Sequence, residues 1–402
     1  MQLLVPGEMA LGTNANEPIG VGARSRARGG ADIAVGDSAL TQIDNPAALT
    51  LLSAEEYRLD ASGQLITVRS HWSGPVDSAD AENSVPPPVN VGVAIPIDDR
   101  LTWGVAFHSK SGLSARYQLR HVFMPFMERR VLSDLKNVAL STGVGYKLTD
   151  KLSVGAAVRG EGVTAKYDVV LGPADVHFGR GYSLGGGFNL GLHHQTREDL
   201  ALALAYRSTT WLGDIAGGDG EASPLGRPPV DLGTINLDEP RLPQKITGGV
   251  AWDATDWLKL VGELRWINHS NSSGGSSMYA TDGQVDIRLP VNLDLEDQWV
   301  VATGAELALD EHWRLGVGYN YGSNVTSPSG MIPTATVIVE HHITIGLRYE
   351  ADRWWVGGGY ILGLPASMDG AEKSHIPLGV DYGYGSIRQE QHSVFLGFGF
   401  SW

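Results

Sequence analysis

The chain offers few residues for covalent chemistry. None of its 402 residues is Cys, which excludes thiol catalysis, disulfides and Cys-ligated zinc. Gly181-Tyr182-Ser183-Leu184-Gly185 has G-x-S-x-G spacing, which activates a serine only on a sharp strand-to-helix turn. The residues that follow, GGFNLGLHH, read as strand, so the spacing lacks its context. His193-His194 and His341-His342 are adjacent pairs. Neighbours in a strand point to opposite faces, so neither pair can chelate one metal. No Ser/His/Asp or paired-Asp constellation is found, and the expectation is a non-enzyme with no cofactor and no metal.

Binding chemistry is better represented. Phe123, Met124, Phe126 and Met127 place two Phe and two Met within five residues, followed by Arg129 and Arg130. Such surfaces adapt to varied apolar ligands, and exposed apolar patches mark interaction sites. Two readings stay open. The segment is an outward-facing capture groove whose arginines are available to an anionic head group, or it packs against other loops or the top of whatever plugs the fold. A net charge of −15, from 30 Lys+Arg against 45 Asp+Glu, argues against nucleic acid as a partner.

These residues need a frame, and the chain supplies a repeating one. An alternating strand, a short acidic turn and a second alternating strand recur at Asp99, Asp150, Asp199, Asp256, Glu311 and Asp352. Longer connectors rich in Gly, Ser, Pro and Asp lie between them, for example 73–88, 212–243, 271–297 and 365–389. Short turns at one end and long loops at the other are the asymmetry of outer-membrane barrels. Six tight turns join seven hairpins, which predicts an all-β fold, a 14-stranded antiparallel transmembrane β-barrel. The expected strands are 56–72, 89–97, 101–117, 137–149, 152–168, 178–195, 200–211, 243–253, 257–270, 298–309, 312–326, 335–350, 353–364 and 390–402. Propeller repeats of ~50 residues are the soluble rival, but each blade takes four short strands.

Parity assigns the faces. Val394, Leu396, Phe398, Phe400 and Trp402 share one face, opposite Ser393, Gly397, Gly399 and Ser401. A charge costs ~2–4 kcal/mol at the lipid-facing midplane, so Arg159, Arg207, Lys259, Arg265, Arg314 and Arg348 are expected to look inward, with Glu161, Glu263 and Glu306 beside them. They form a salt-bridge ladder that stiffens the wall and holds whatever fills the lumen, or one or two of the arginines bind a ligand carboxylate bidentately. Trp72, Trp103, Trp211, Trp252, Trp257, Trp299, Trp313 and Trp354 fall near strand ends, as interfacial girdles do.

Residues 1–53 do not alternate. MQLLVPGEMALG lacks a basic region and is broken by Pro6 and Glu8, which makes a poor signal peptide. The segment then runs through Arg24, Arg26 and Arg28 into small residues and Asn45-Pro46-Ala47-Ala48-Leu49. It either hangs in the periplasm or folds into a lumen wide enough to need filling. The stretch GARSRARGGADIAVGDSALTQIDNPAALTLL resembles the hatch of the FadL/TodX family of outer-membrane transporters for hydrophobic compounds, and the resemblance extends over the 14-strand count and the terminal aromatic. Ala48 departs from it, where many relatives carry Gly, as does the Arg-rich entry.

The resemblance implies a hatch over 1–53 within a barrel over 54–402. It also implies a lateral gap where a kinked third strand passes Asn45-Pro46-Ala47. Gly112 is the candidate for that kink, since a Gly inside a strand marks a bulge; Asn45-Pro46 as a simple turn is the alternative. The expected function is passive uptake of hydrophobic small molecules, fatty acids or hydrocarbons, by a monomer set among outer-membrane lipids and lipopolysaccharide. A porin for polar solutes, an outer-membrane enzyme and a structural barrel are the alternatives.

Overall fold

The structure, a computed structural model, describes residues 17–82, 87–238, 240–272, 277–283, 288–290, 294–371 and 384–402. Fourteen strands form the wall: β1 Arg58–Ser73, β2 Val89–Pro96, β3 Leu101–His121, β4 Met124–Lys147, β5 Leu152–Leu171, β6 Ala174–Arg197, β7 Leu200–Arg207, β8 Lys245–Thr255, β9 Leu258–Ile267, β10 Gln298–Ala308, β11 Trp313–Gly322, β12 His341–Glu350, β13 Trp354–Asp369 and β14 Ser386–Ser401. Each pairs antiparallel with the next. The ladder from Arg58↔Ser401 to Ser73↔Ser386 joins β1 to β14 and closes the ring. Closure removes both sheet edges, which a bilayer demands because no water is there to satisfy a free edge.

Two of the short turns owe their acidity to hydrogen bonding. Asp98 accepts from the Arg100 and Leu101 amides, both at 2.8 Å. Asp310 does the same for His312 and Trp313, again at 2.8 Å. A carboxylate that bonds the backbone two or three residues on closes the turn. In both turns the bonding residue stands one before the acid expected from the sequence.

The faces follow parity. Along β14, Val394, Leu396, Phe398 and Phe400 are exposed to the outside while Ser393, Phe395 and Ser401 are buried. Trp103, Trp252, Trp299, Trp313 and Trp354 are also outward. Trp72 is a correction: it is buried in a cluster with Tyr117, Leu119, Met331, Ile338 and Ile387, because the segment between β11 and β12 folds over it instead of leaving a girdle residue in lipid.

Several strands depart from their expected lengths. The β3–β4 and β5–β6 hairpins run on well past the expected ends and turn at Val122-Phe123 and Gly172-Pro173. Conversely, β12 begins at His341, and residues 335–340 are not strand. The connector expected over 212–243 contains two further strands, Ile215–Pro224 on β6 and Val230–Leu237 beside it, and the latter pairs with Ser277–Asp282. Val176, Phe178, Leu232, Ile235 and Ala280 give this extension an apolar core of its own.

Candidate functional site: the hatch seat

Residues 17–52 lie within the ring of strands. They contain one short helix, α1 (Ala23–Ala27), and two 3₁₀ turns, Ala39–Ile43 and Pro46–Leu51. Local sequence sets these turns. Ser38 caps the first by accepting from the Leu40 amide at 3.2 Å. Asn45 caps the second by accepting from the Ala47 amide at 3.1 Å, with Pro46 at the first position, where its missing N–H costs nothing. The Asn45 Nδ2 donates to Ile33 O at 2.8 Å and to Leu192 O of β6 at 3.2 Å. One side chain thus ties the turn, the rest of the segment and the wall together.

The wall meets this segment with bare backbone. A Cβ added at Gly145 on β4 would stand 2.8 Å from Pro46 O, and one at Gly155 or Gly191 would fall on the Ala47 amide or the Asn45 carboxamide. These three glycines are consecutive cross-strand partners, Gly145↔Gly155 and Gly155↔Gly191. Across the lumen, a Cβ at Gly304, Gly346 or Gly397 would stand 2.5–2.7 Å from Arg28 O, Ala27 Cβ and Ala23 Cβ. Gly92 and Gly249 likewise abut Ala39 and Ile33. The inward-facing glycines therefore form a seat around the lumen, and Ala31, Ala39, Ala47, Ala48 and Leu49 upon it have no exposed surface.

Charges fasten the seat. Arg28 bridges Asp37 at 2.7 Å and Glu306 of β10 at 2.8 Å, and Arg348 of β12 reaches the same Glu306 at 3.0 Å. Arg24 pairs with Glu350 at 2.8 Å. Glu17 receives Arg207 of β7, and Asp44 receives Lys245 of β8 at 2.6 Å. Glu263 of β9 accepts from the Ile33 amide at 2.6 Å and is held by Arg265. Burial alone would push the Asp44 carboxyl up, but Lys245 and Arg265 outweigh it and hold it down at about 2. Asp32 goes the other way, well above the usual carboxylate range, because it is buried and faces Glu263 and Asp44.

A sequence model of the outer membrane protein transport family, OMPP1/FadL/TodX, matches residues 8–352. The chain belongs to that family. It is similar to the structure of the Pseudomonas putida toluene transporter TodX, with a TM-score of 0.80 and 17% identity over 96% of this chain and 99% of that one. The Ralstonia pickettii toluene transporter TbuX gives 0.77 and 18% over 95% and 98%. A Pseudomonas aeruginosa FadL homologue gives 0.74 and 13% over 98% and 99%. No curated protein matches the chain in sequence. Family and fold place it in the bacterial outer membrane.

Against this family background the expected site residues fall into three groups. Asn45, Pro46 and Ala47 sit in the seat, beside β4, β5 and β6. The wall irregularity expected at Gly112 lies two residues earlier: Gly112 pairs in register with Lys136, and the register shift falls between Ser109 and Ser111. That bulge leaves Lys110 out of the ladder, and its buried Nζ donates to Glu161 at 2.7 Å.

The inward charges form the second group. Arg207, Glu263, Arg265 and Arg348 are buried around the seat, and Arg159 is buried against Glu161 at 2.8 Å. Arg159 also donates to Phe188 O and Ser208 O, both at 3.1 Å, where β7 breaks before Thr210–Leu212. Lys259 lies apart from the seat, at a turn, paired with Asp253 at 3.1 Å, whereas Arg314 reaches Glu350 at 3.7 Å, the carboxylate that Arg24 also holds.

The third group corrects an expectation. Phe123 and Met124 to Arg130 do not form a long loop; they are the tip and first residues of the β3–β4 hairpin. Met124 is buried with Val131 and Val170, whereas Phe123 and Met127 are exposed and Phe126 is 95% exposed. Arg129 and Arg130 are engaged by Asp175 at 2.8 Å and Asp168 at 2.6 Å, so neither is a free cation. The acids Glu17, Asp32, Asp37 and Asp44, and Lys110, were missed from sequence. Their signal was present, since carboxylates inside a small-residue segment need cations and the strands supply inward ones.

Proposed function

We propose that this protein carries hydrophobic small molecules passively across the outer membrane. The observation that carries the reading is the seated segment itself. Among the described residues, backbone pressed on glycines around the lumen occupies the space a polar solute would need, and an apolar molecule gains nothing from an aqueous lumen. The protein is a transporter without catalytic chemistry, acting as a monomer.

Cargo is captured at the hairpin tip, where Phe123, Phe126 and Met127 stand exposed. It then passes inward along apolar surface such as the Trp72–Tyr117–Leu119 and Val163–Ala165–Leu212–Ile215 clusters. It leaves past a displaced hatch, residues 1–53, or through the wall near the Lys110 bulge. Its concentration gradient drives it.

The test is uptake of labelled toluene, a long-chain fatty acid and a small sugar in cells lacking and then regaining the protein. Recovery for either hydrophobic probe without the sugar is the expected result. Recovery for the sugar alone means a porin and overturns the reading.

A further inference from the structure

The lipid side of the wall is not uniform at its outer rim. On β10 and β11 the rim carries the exposed aromatics Trp299 and Tyr319, as an interfacial girdle does. On β4, β5 and β6 it carries cations. Lys136 of β4 sits opposite Thr164 of β5, which sits opposite Tyr182 of β6. One row further out, Lys166 sits opposite Asp134. Arg180 donates to Thr164 at 3.1 Å and to Asp134, which Lys136 also reaches at 3.3 Å. Three cations thus share one acid among the described residues, leaving two positive charges in excess on a chain of net charge −15. The next acid outward, Asp168, is engaged by Arg130 and His177.

The height of this patch is set by the strands. Lys136 stands ten residues along β4 from Tyr146, an exposed aromatic at the short-turn end. At ~3.3 Å per residue and a tilt of ~40°, ten residues rise roughly 25 Å, the depth of the apolar band. The cations therefore begin where the band ends, and the long hairpins beyond them mark the outer leaflet.

Beneath the patch the lipid-facing surface of β5 is bare. Gly162 and Gly160 follow Thr164 on the outward parity, in register with Val138 and Leu140 of β4 and with Leu184 and Gly186 of β6. A Cβ at Gly160 would meet nothing within 4 Å, and one at Gly162 would meet Leu184 at 3.6 Å and Val138 at 3.7 Å. Glycines inside a strand mark a bulge or a place where a ligand approaches the backbone, and the register here has no bulge. Leu140, 57% exposed, and Leu184, 80% exposed, stand as ridges on either side. Past Val158 the surface dips again at Ala156, between Val144 and Leu190.

We infer that this face of β4, β5 and β6 binds lipid A, the phosphorylated anchor of lipopolysaccharide. A phosphate rests against Lys136, Lys166 and Arg180, and an acyl chain lies in the furrow over Gly162 and Gly160. Charge selects the ligand. A phosphate monoester, as in lipid A, carries about −1.5 to −2 near neutral pH, which matches the two excess cations, whereas the phosphodiester of a glycerophospholipid carries a single charge. The guanidinium fork of Arg180 takes two phosphate oxygens and the lysines serve as point charges. The Lys136 and Arg180 side chains are 36% and 31% exposed, so a lipid reaches them without any movement of the wall. The site lies outside the barrel and does not depend on what the lumen carries.

The test is native mass spectrometry of the purified full chain in detergent, titrated with bisphosphorylated lipid A or with phosphatidylglycerol. Lipid A is expected to bind about tenfold more tightly than phosphatidylglycerol, the scale of one further charge-assisted contact. Replacing the three cations together, Lys136→Gln, Lys166→Gln and Arg180→Gln, should weaken lipid A roughly a hundredfold, about fivefold for each cation at an anionic lipid surface. Gly160→Val should weaken it several-fold without lowering the melting temperature, because the new side chain meets lipid and not protein. Arg69→Gln is the control, since Arg69 stands at the rim on β1 already bonded to Glu390 at 2.7 Å, and it should leave binding unchanged. Equal affinity for the two lipids in the unaltered chain overturns the inference without needing any variant. Lipid A binding that survives the triple substitution, or that ignores Gly160→Val, also overturns it. A loss in Arg69→Gln as large as in the triple variant shows a response to overall charge and overturns the site.

Discussion

The seat and the β3–β4 tip are built on opposite principles. At the seat, Ala47, Ala48 and Leu49 have no exposed surface, backbone lies on backbone through Gly145, Gly155 and Gly191, and acids and cations meet in pairs. At the tip, Phe126 is almost wholly exposed and Phe123 is half exposed, while only Met124 is tucked away. A surface that must exclude water has to be filled to close-packed density, where one added methyl group is felt. A surface that must meet varied apolar ligands keeps its apolar groups unsatisfied. In the proposed function one region seals and the other captures, and each can be broken separately.

The largest effect is expected from Gly155→Val. Its Cβ would land on the Ala47 amide, which is backbone and cannot turn aside. The segment should lift from the wall, so single-channel recordings should change from a closed protein to one with a steady aqueous conductance. A variant that stays closed would show that the seat is not the seal.

Glu306→Gln comes next. It removes the carboxylate shared by Arg28 and Arg348. Leaving a buried charge unpaired costs 3–5 kcal/mol. The expected loss is about 3 kcal/mol, at the low end of that range, because Arg28 keeps Asp37 and Arg348 keeps Glu350. Thermal unfolding followed by gel mobility reads it.

Asp32→Asn should act in the other direction. Burial and Glu263 raise the Asp32 pKa in the folded protein. The carboxyl therefore favours the folded state below its ordinary titration range and loses that advantage as pH rises through the raised value. At neutral pH the neutral amide should raise the melting temperature by less than Glu306→Gln lowers it. The gain should vanish in acid, and a variant less stable at both pH values would contradict this sign.

How much of this was legible in the sequence differs between the same two regions. The strand count came from short polar turns, and in three of them a side chain bonds the next amides within its own turn, Asp98, Asp310 and, in place of an acid, Thr149. Strand ends above the bilayer were not legible. Once both faces meet water, the alternation that marks a strand fades, as it does at the start of β4 from Pro125 to Arg130, whereas β3 keeps it to its end with Tyr117, Leu119 and His121 buried. Inward parity identified Arg207, Arg265 and Arg348 as buried cations. Their partners were hidden, since Glu17 lies 190 residues from Arg207 and nothing local links them. The seat had a readable trace in the excess of glycine, 52 residues in all, many of which fall on the inward parity.

The smallest structural effect, and the sharpest division of labour, is expected from Phe126→Ala. The ring is 95% exposed, so its removal takes almost no buried contact from the fold, and surface changes of this kind stay within about 0.5 kcal/mol. The melting temperature and the closed state should therefore be unchanged. If the tip captures cargo, uptake of a hydrophobic probe at low external concentration should still fall several-fold, and the deficit should shrink as the probe concentration rises and capture ceases to limit entry. Met124→Ala is the control within the same hairpin: that side chain is buried against Val131 and Val170, and its loss should cost about 2–3 kcal/mol by opening a cavity. Uptake that falls for Met124→Ala and not for Phe126→Ala would mean that the hairpin serves as structure, and capture would have to be sought deeper in the barrel.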